Sequence, residues 1–380
     1  MELTEEQILI RASVRAWVSD RLAPGAAQRD RECAFPAELL GEIAALGLFG
    51  MTVPQEWQGA GSDMVSLALA LEEIAAGDGA CSTIISVNNS VVCGPLLSYG
   101  SDNLKQMYLT EVASGRQLGC FCLTEPEAGS DASAITTRAI KNANSYVLNG
   151  TKQFITNGKN ADIAIVFAVT DPDAGKRGIS AFVVETSHPG YVVAAVENKM
   201  GQRSSDTAQI VLKDCEIPAV NLLGEEGQGY RIALSNLESG RIGIAAQCVG
   251  MARAAMEVAL QYASERKSFG KPLIQHQATG FKLADMATQI EAARLLVLNA
   301  ARLKDNGLPC LDQASMAKLF ASEMAEKVCS DAIQVLGGYG YLNDFPVERI
   351  YRDVKVCQIY EGTSEIQRML IARSLERQST

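Results

Sequence analysis

The hydrophobic pattern of the chain changes twice, and these two changes constrain its fold more than any other feature. Up to about Arg116, apolar residues recur at helical spacing. From Gly119 to about Leu223 the chain has short β-rich runs separated by turn pairs, and after Gly229 it is helical again. The order predicts an α+β multidomain protein with an N-terminal all-α domain (1–118), a middle antiparallel β-sandwich or barrel domain (119–225) and a C-terminal four-helix bundle (226–380).

Local signals place the first and the longest helix. Thr4 and Gln7 form a capping box that opens a helix, and Pro24 with Gly25 is expected to end it. Residues 230–266 carry no proline and exceed the usual length of a globular helix. This segment therefore predicts either one long bundle helix or two stacked pieces.

Charge and hydropathy exclude several classes of protein. The net charge is −10 without a block of like charges, so no nucleic-acid surface is expected. No apolar run reaches the roughly eighteen residues of a membrane span, so no membrane partner is expected. The polar start, Met1 to Gln7, is neither a signal nor a transit peptide. We expect a cytoplasmic protein if the chain is bacterial, or a mitochondrial matrix protein if it is a mature eukaryotic form.

Cysteine and histidine usage argues against a metal site. The ten cysteines are scattered without metal-binding or redox spacing, which is typical of small core residues in a reducing compartment. There are only two histidines, so no metal is expected.

Three loops combine residues that carry chemistry. Cys122 to Asp131 is a turn rich in Thr, Gly and Ser, which suits a polar ring or a phosphate as well as it suits a capped surface loop. Gln334 to Tyr341 places glycines after an apolar helix, where a plain helix C-cap is the alternative. Glu361 precedes a helix that Ser364 and Gln367 open as a capping box, and its alternative role is a favourable charge at that helix N-terminus.

Together these segments resemble the acyl-CoA dehydrogenase family over essentially the whole chain. Cys122 to Ala134 is similar to the first family signature, and Gln334 to Asp353 is similar to the second. Tyr360 to Thr363 then follows in the matching order. The resemblance implies the three-domain fold described above and non-covalently bound FAD between the β-domain and the C-terminal helices. It also implies a homotetramer built as a dimer of dimers.

The resemblance also implies roles for individual residues. Those expected to bind FAD are Phe121, Leu123, Thr124, Gly129, Ser130, Phe154, Ile155, Thr156, Arg266, Ser268, Gln277, Gln334, Val335, Gly337, Gly338, Thr363 and Glu365. Of these, Arg266, Ser268 and Gln277 are expected to reach the cofactor of a neighbouring subunit. Those expected to contact acyl-CoA are Ser130, Glu238, Arg241, Tyr360 and Gly362.

The implied reaction is the α,β-dehydrogenation of a short-chain acyl-CoA to a trans-2-enoyl-CoA. Glu361 would take the Cα proton while hydride passes from Cβ to flavin N5, and electron-transferring flavoprotein would accept the electrons. Because the Cα–H is a weak acid, donors aimed at the thioester oxygen must stabilise the developing enolate. Burial of Glu361 beside an apolar acyl chain would raise its pKa toward the working range.

Branch-specific positions narrow the substrate. Gly240 stands where the isovaleryl and long-chain branches have a glutamate base, and Cys81 stands where the glutaryl branch has an arginine. The run Leu237 to Gln247 is most similar to the butyryl branch. A 2-methylacyl-CoA or medium-chain dehydrogenase, an acyl-CoA oxidase and a non-catalytic scaffold remain alternatives, and the sequence fixes neither chain length nor branching.

Overall fold

The N-terminal part of the chain is helical, as its hydrophobic spacing predicts. A computed structural model describes residues 2–378 of the protein. The first eight helices are α1 (Glu5–Trp17), α2 (Ala23–Glu32), α3 (Leu40–Ala45), α4 (Met64–Gly77), α5 (Gly79–Val87), α6 (Gly94–Tyr99), α7 (Asp102–Leu104) and α8 (Thr110–Ala113).

A π-helical turn, Val18–Leu22, joins α1 to α2 without a break. The capping box is confirmed, because Gln7 N donates to Thr4 Oγ1 at 3.2 Å and Thr4 N donates to Gln7 Oε1 at 3.0 Å. The prediction that Pro24 ends the helix is wrong. Pro24 lies in the first turn of α2, where the fixed φ of proline suits a helix. Proline has no backbone N–H, and after the wider π turn no N–H donor is needed at this position.

The middle part folds into one twisted sheet of eight strands. They are β1 (Gly119–Cys122), β2 (Arg138–Lys141), β3 (Ser145–Thr156), β4 (Ile163–Val169), β5 (Ile179–Glu185), β6 (Tyr191–Val196), β7 (Thr207–Pro218) and β8 (Leu222–Leu223). Their order is β6-β7-β3-β2-β4-β5-β8, with β1 pairing on β4. Most neighbours are antiparallel as predicted, whereas β1 runs parallel to β4 and β2 meets the end of β4 in parallel. The parallel β1 brings the loop after Cys122 to the same end of the sheet as the end of β4.

The C-terminal part is dominated by long helices. They are α9 (Gly229–Glu265), α10 (Gln277–Asp305), α11 (Leu311–Leu336), α12 (Val347–Val354) and α13 (Ser364–Gln378), with a small hairpin of β9 (Lys267–Ser268) and β10 (Lys271–Pro272) after α9. The 37 residues of α9 form one helix, which decides between the two alternatives left open by the sequence.

The main core joins the N-terminal helices to the C-terminal bundle. Small residues let α4 and α9 approach closely, since a Cβ added at Gly250 would lie 2.0 Å from the carbonyl oxygen of Glu72. Leu71 and Ile74 of α4 are fully buried in the same cluster as Ile242 of α9. A second cluster joins the β part to both, since it contains Val91 of the N-terminal part, Phe167 of β4 and Ile232 of α9, so the three parts form one packed molecule.

Two helical stretches reach the length and hydropathy of membrane spans, Gly79–Tyr99 and Gly229–Glu265. Their hydropathic windows are 89% and 72% buried inside the protein, so the apolar residues serve the core. All ten cysteines are free thiols and only Cys33 is exposed, which confirms their expected place as core residues.

Candidate active site

The turn between the short helix Lys355–Gln358 and α13 holds Glu361 in an unusual backbone conformation. Glu361 has φ 53° and Gly362 has φ 91°, so two consecutive residues are left-handed. The carboxyl group lies directly over α9, because a Cβ added at Gly240 would be 1.8 Å from Glu361 Oε2. A side chain at position 240 would therefore occupy the space that the carboxylate fills.

The carboxyl group of Glu361 is poorly solvated and incompletely bonded. Its Oε2 atom is buried and has no hydrogen-bond partner within the described chain. Burial raises the pKa of Glu361 to about 7, while the positive charges of Arg241 and Lys318 act in the opposite direction. Arg241 is itself buried, with an unpartnered Nε, and burial lowers its pKa. A carboxyl that titrates near neutrality beside a buried cation has the properties of a general base.

The neighbouring Tyr360 is fixed by a buried polar network. Its hydroxyl donates to Gln247 Oε1 at 3.0 Å and accepts from Gln202 Nε2 at 3.2 Å. Gln247 Nε2 donates in turn to Thr83 Oγ1 at 2.6 Å. These bonds link α5, α9 and the β-domain loop that contains Gln202, so the tyrosine ring has little freedom to move.

A cavity of about 270 Å³ opens where the three parts of the protein meet. Thr83 lines it from the N-terminal helices, Thr156 and Met200 from the β-domain, and Ile359 and Tyr360 from the C-terminal part. Of the predicted residues, the structure thus brings Thr156 and Tyr360 together on one cavity.

Phe154 stands two residues before Thr156 with a left-handed backbone (φ 59°) and a side chain that is 62% exposed. Ile155 between them is buried in the β-domain core. A strained backbone that holds an aromatic ring in solvent, two residues from a residue that lines a cavity, is a feature of binding sites. The arrangement suits a planar aromatic ligand.

The loop after β1 is held by a buried ion pair. Lys152 Nζ lies 2.7 Å from Glu125 Oε1 and donates to the carbonyl of Leu123 at 3.2 Å. Glu125 also accepts from Thr136 N at 2.6 Å and Thr137 N at 3.0 Å. The positive charge of Lys152 and these donors together overcome desolvation and lower the pKa of Glu125 to about 2.

The same loop carries several predicted residues. Phe121 and Leu123 are partly buried and pack against the core, with the Phe121 ring 4.8 Å from that of Phe167. Thr124 is partly buried, and its carbonyl accepts from Gln153 N at 2.9 Å. Gly129 and Ser130 are exposed at the turn of the loop, where they are accessible to a ligand.

The remaining predicted residues lie elsewhere on the chain. Arg266, Ser268 and Gln277 lie around the β9–β10 hairpin and do not line this cavity within one chain. Gln334, Val335, Gly337 and Gly338 lie at the end of α11, and Gly337 (φ 62°) terminates the helix with open space around it. Glu238 lies 3.3 Å from Lys304 Nζ.

The predicted capping box at the start of α13 is wrong. Thr363 Oγ1 accepts from Ile366 N at 3.4 Å, and Ser364 Oγ has no partner in the described chain. Gln367 donates to the carbonyls of Glu361 at 3.3 Å and Gly362 at 2.9 Å instead. The cap is therefore Thr363, and the helix begins one residue earlier than the predicted cap at Ser364 implies, while Gln367 supports the turn. Glu365 in its first turn is exposed.

Lys318, Gln202 and Gln247 belong to the site, although their residue types gave no direct indication of it. Lys318 is fully buried and donates to the carbonyl of Gly362 at 2.8 Å. It shares the buried face of α11 with Ala314 and Ala321, at helical spacing. A single lysine in an alanine stripe was a visible signal of a buried polar role.

The site offers no metal centre. Among residues 2–378, no group of three or more His, Cys, Asp or Glu side chains could hold a metal ion.

Comparison with known proteins matches every part of this architecture. Residues 4–116, 120–215 and 227–376 match the N-terminal, middle and C-terminal domains of acyl-CoA dehydrogenase. An acyl-CoA dehydrogenase of Bacillus subtilis is 49% identical, with 99% of both chains covered. The human mitochondrial short-chain specific acyl-CoA dehydrogenase is 48% identical over 99% of this chain and 92% of its own.

Solved structures agree with the sequence relatives. Butyryl-CoA dehydrogenase from Megasphaera elsdenii superposes with a TM-score of 0.97 at 43% identity, with 99% of both chains covered. A glutaryl-CoA dehydrogenase of Mycobacterium smegmatis in complex with FADH2 superposes with a TM-score of 0.93 at 34% identity, covering 98% of this chain and 95% of that one. The chain belongs to the acyl-CoA dehydrogenase family. It is an oxidoreductase of that family, with short-chain and butyryl-CoA dehydrogenases among its similar relatives.

Proposed function

We propose that the protein desaturates short-chain acyl-CoA thioesters between Cα and Cβ, with Glu361 as the catalytic base. The observation that carries the proposal is the carboxyl group of Glu361, buried without a partner for Oε2 and seated against the bare backbone of Gly240. A second candidate base would need a carboxylate at position 240, which glycine cannot supply.

FAD is the cofactor of this family, and the residues around the cavity fit it. The cavity lies between the β-domain and the C-terminal turn, with Thr156 on one side and Tyr360 on the other. The exposed ring of Phe154 and the open loop at Gly129 and Ser130 could contact a planar ring and its polar edge. When bound, FAD supplies the hydride acceptor that no side chain can provide.

The state of Glu361 suits the removal of a weakly acidic proton. Its pKa of about 7 leaves a large share of the group ionised at neutral pH, while its basicity exceeds that of a solvated carboxylate. The unpartnered Oε2 is free to accept the proton without first breaking a hydrogen bond. The backbone N–H of Glu361 is the proposed donor to the thioester oxygen, where negative charge develops.

Substrate contacts are assigned to the residues around the base. Arg241 keeps a buried cation one residue after Gly240, and Tyr360 and Gly362 flank Glu361 in the chain. Ser130 and Glu238 are proposed to contact the CoA portion. A 2-methylacyl-CoA or a medium-chain acyl-CoA is the alternative substrate, because the depth of the acyl pocket depends on how α5 packs on α9.

The partner and assembly are proposed with the reaction. Electron-transferring flavoprotein is the expected acceptor, and the protein is expected to form a homotetramer in which Arg266, Ser268 and Gln277 complete a neighbour's FAD site. Phe269 beside them is 96% exposed, as expected of an aromatic residue covered only in an assembly. With both apolar helices buried in the core, a bacterial form would be cytoplasmic and a processed eukaryotic form would lie in the mitochondrial matrix.

Anaerobic bleaching of the bound flavin by a panel of acyl-CoAs tests the reaction and the chain length together. We expect butyryl-CoA to bleach the 450-nm band fastest among saturated straight chains of about four to twelve carbons. Faster bleaching by 2-methylbutyryl-CoA or octanoyl-CoA would select the corresponding alternative. A purified protein that binds no FAD and is bleached by none of them would contradict the proposed function.

A further inference from the structure

Lys318 has no assigned role in the proposed chemistry, yet it lies completely buried in the middle of α11. Its exposure is 0%, and its ammonium forms none of the ion pairs found among residues 2–378, unlike Lys304, Lys327 and Lys355. A buried ammonium without a carboxylate partner is costly, and methionine would fill similar space without that cost. The contacts of this ammonium therefore need to account for its burial.

The ammonium of Lys318 reaches the turn that carries Glu361. It donates to the carbonyl of Gly362 at 2.8 Å, and Gln367 Nε2 donates to the same oxygen at 2.9 Å. Gln367 also donates to the carbonyl of Glu361 at 3.3 Å. The carbonyl groups of Glu361 and Gly362 thus accept hydrogen bonds from side chains of α11 and α13.

This turn needs such support because its backbone is strained. Glu361 is a residue with a Cβ at φ 53°, a conformation that persists only where the surroundings over-determine it. The adjacent Gly362 at φ 91° is a conformation that glycine tolerates. Bonds to both carbonyls fix the direction in which the Glu361 side chain leaves the turn.

The charge of Lys318 acts on the same carboxyl group. The charged groups facing Glu361 are Arg241 on α9 and Lys318 on α11, and both lower its pKa against the effect of burial. Lys318 also faces the thiols of Cys248 on α9 and Cys357 on the short helix before the turn. Burial lowers the pKa of Lys318, which these neighbours partly oppose.

We propose that Lys318 is the positioning residue of the catalytic base. It holds the Glu361–Gly362 turn through the Gly362 carbonyl and places a fixed positive charge behind the carboxyl group. The assignment rests on the proposed function of Glu361. The predicted cofactor and substrate contacts do not include Lys318, so the assignment gives α11 an additional part in the reaction.

The test compares Lys318→Met with Lys327→Met, a matched change nine residues along the same helix at an exposed, ion-paired lysine. Both FAD-loaded enzymes are assayed with butyryl-CoA and a dye acceptor between about pH 5.5 and 9. Lys318→Met should lower kcat roughly tenfold with little change in KM, and the acidic limb of its pH profile should move upward by about half a unit or more. Lys327→Met should overlay the wild type.

A merely structural role would lower melting temperature and kcat without moving the acidic limb. Removal of the Lys318 charge also raises the pKa of nearby thiols, away from the acidic limb, so Cys248 and Cys357 do not account for an upward shift. An unmoved acidic limb in folded Lys318→Met overturns the proposal, whether or not kcat falls. If Glu361→Gln retains turnover, the proposed function fails instead, irrespective of Lys318.

Two further variants decide the matter if Lys318→Met does not fold. Gln367→Leu removes bonds to the same carbonyls without changing a charge, so kcat should fall while the acidic limb stays in place. Lys318→Arg keeps the charge and should also leave the limb in place. An upward shift of the limb in either variant overturns the proposal.

Discussion

The protein buries two lysines near two glutamates, and the two pairs differ in whether the lysine bonds the carboxylate directly. In the β-domain, Lys152 and Glu125 make a direct ion pair at 2.7 Å, and further donors from Thr136 and Thr137 satisfy the carboxylate. In the C-terminal domain, Lys318 donates to the backbone beside Glu361, and Oε2 of that carboxylate has no hydrogen-bond partner among residues 2–378.

The two carboxyl groups differ accordingly in proton affinity. The pKa of Glu125 is lowered to about 2 and that of Glu361 is raised to about 7. The first group is ionised at any physiological pH and serves to hold the loop after β1. The second can take up a proton near neutrality because burial raises its pKa more than the charges of Arg241 and Lys318 lower it.

The largest expected effect comes from neutralising Glu361, which tests whether this carboxylate is the catalytic base. Glu361→Gln should reduce kcat with butyryl-CoA by roughly 10³-fold or more, because the proton acceptor is lost and only positioning remains. FAD absorbance should stay close to the wild type, and the melting temperature at pH 7 should not fall. Residual turnover above about one tenth of the wild type would place the base elsewhere.

Neutralising Glu125 should give the reverse pattern. Glu125→Gln leaves the Lys152 ammonium buried without its counter-charge, which should destabilise the protein by about 3–5 kcal/mol. The measurement is chemical or thermal unfolding of the FAD-bound enzyme. Glu323→Gln, which removes an exposed pair with Arg368, is the matched control and should cost less than about 1 kcal/mol. Equal losses in the two variants would show that the buried pair is not a structural anchor.

A substitution at Gly240, which lies against the Glu361 carboxylate, tests whether the position of that carboxylate matters for activity. Gly240→Ala adds a methyl group 1.8 Å from the position of Glu361 Oε2, so the carboxylate must move. We expect kcat to fall about 100-fold with the fold intact, because a displacement of about 1 Å misplaces the base. Gly41→Ala in α3, where a Cβ meets no atom within 4 Å, is the control and should be neutral in kcat. Wild-type kcat in Gly240→Ala would mean that the carboxylate does not act from this position.

The sequence predicted the large-scale organisation because hydrophobic periodicity is a local property. The change of pattern near Gly119 and the proline-free run of α9 both appear in the structure. Pro24 misled because a proline is also accepted in the first turn of a helix, and Pro24 lies in the first turn of α2. Sequence signals for the ends of helices were therefore less informative than long periodic segments.

Motif and residue type together singled out Glu361 and Gly240 in the sequence, and the structure places these two residues against each other. The supporting residues were not singled out, because their roles depend on distant partners. Lys318 meets Gly362 across 44 positions, and Gln202 meets Tyr360 across 158. Only the folded chain brings these groups together, and no local pattern specifies a hydrogen bond of that separation.

The smallest expected effect is a difference in how stability depends on pH. The folded pKa of Glu361 lies above its unfolded value, so its contribution is full below about pH 4.3 and is lost as pH rises through about 7. The folded pKa of Glu125 lies below its unfolded value, so its contribution is present above about pH 4.3 and is lost only as pH falls toward 2.

Between about pH 5 and 8, the stability gained by Glu361→Gln over the wild type should therefore rise with pH. We expect a gain of about 1–2 kcal/mol at the upper end, less than the whole pKa difference would give, since the turn is partly exposed. The loss caused by Glu125→Gln should stay constant across the same range. Unfolding midpoints of the three FAD-bound proteins at each pH measure both curves. If the stability difference between Glu361→Gln and the wild type does not change with pH, water solvates the Glu361 carboxylate in the wild type. The two buried pairs would then differ in geometry but not in pKa.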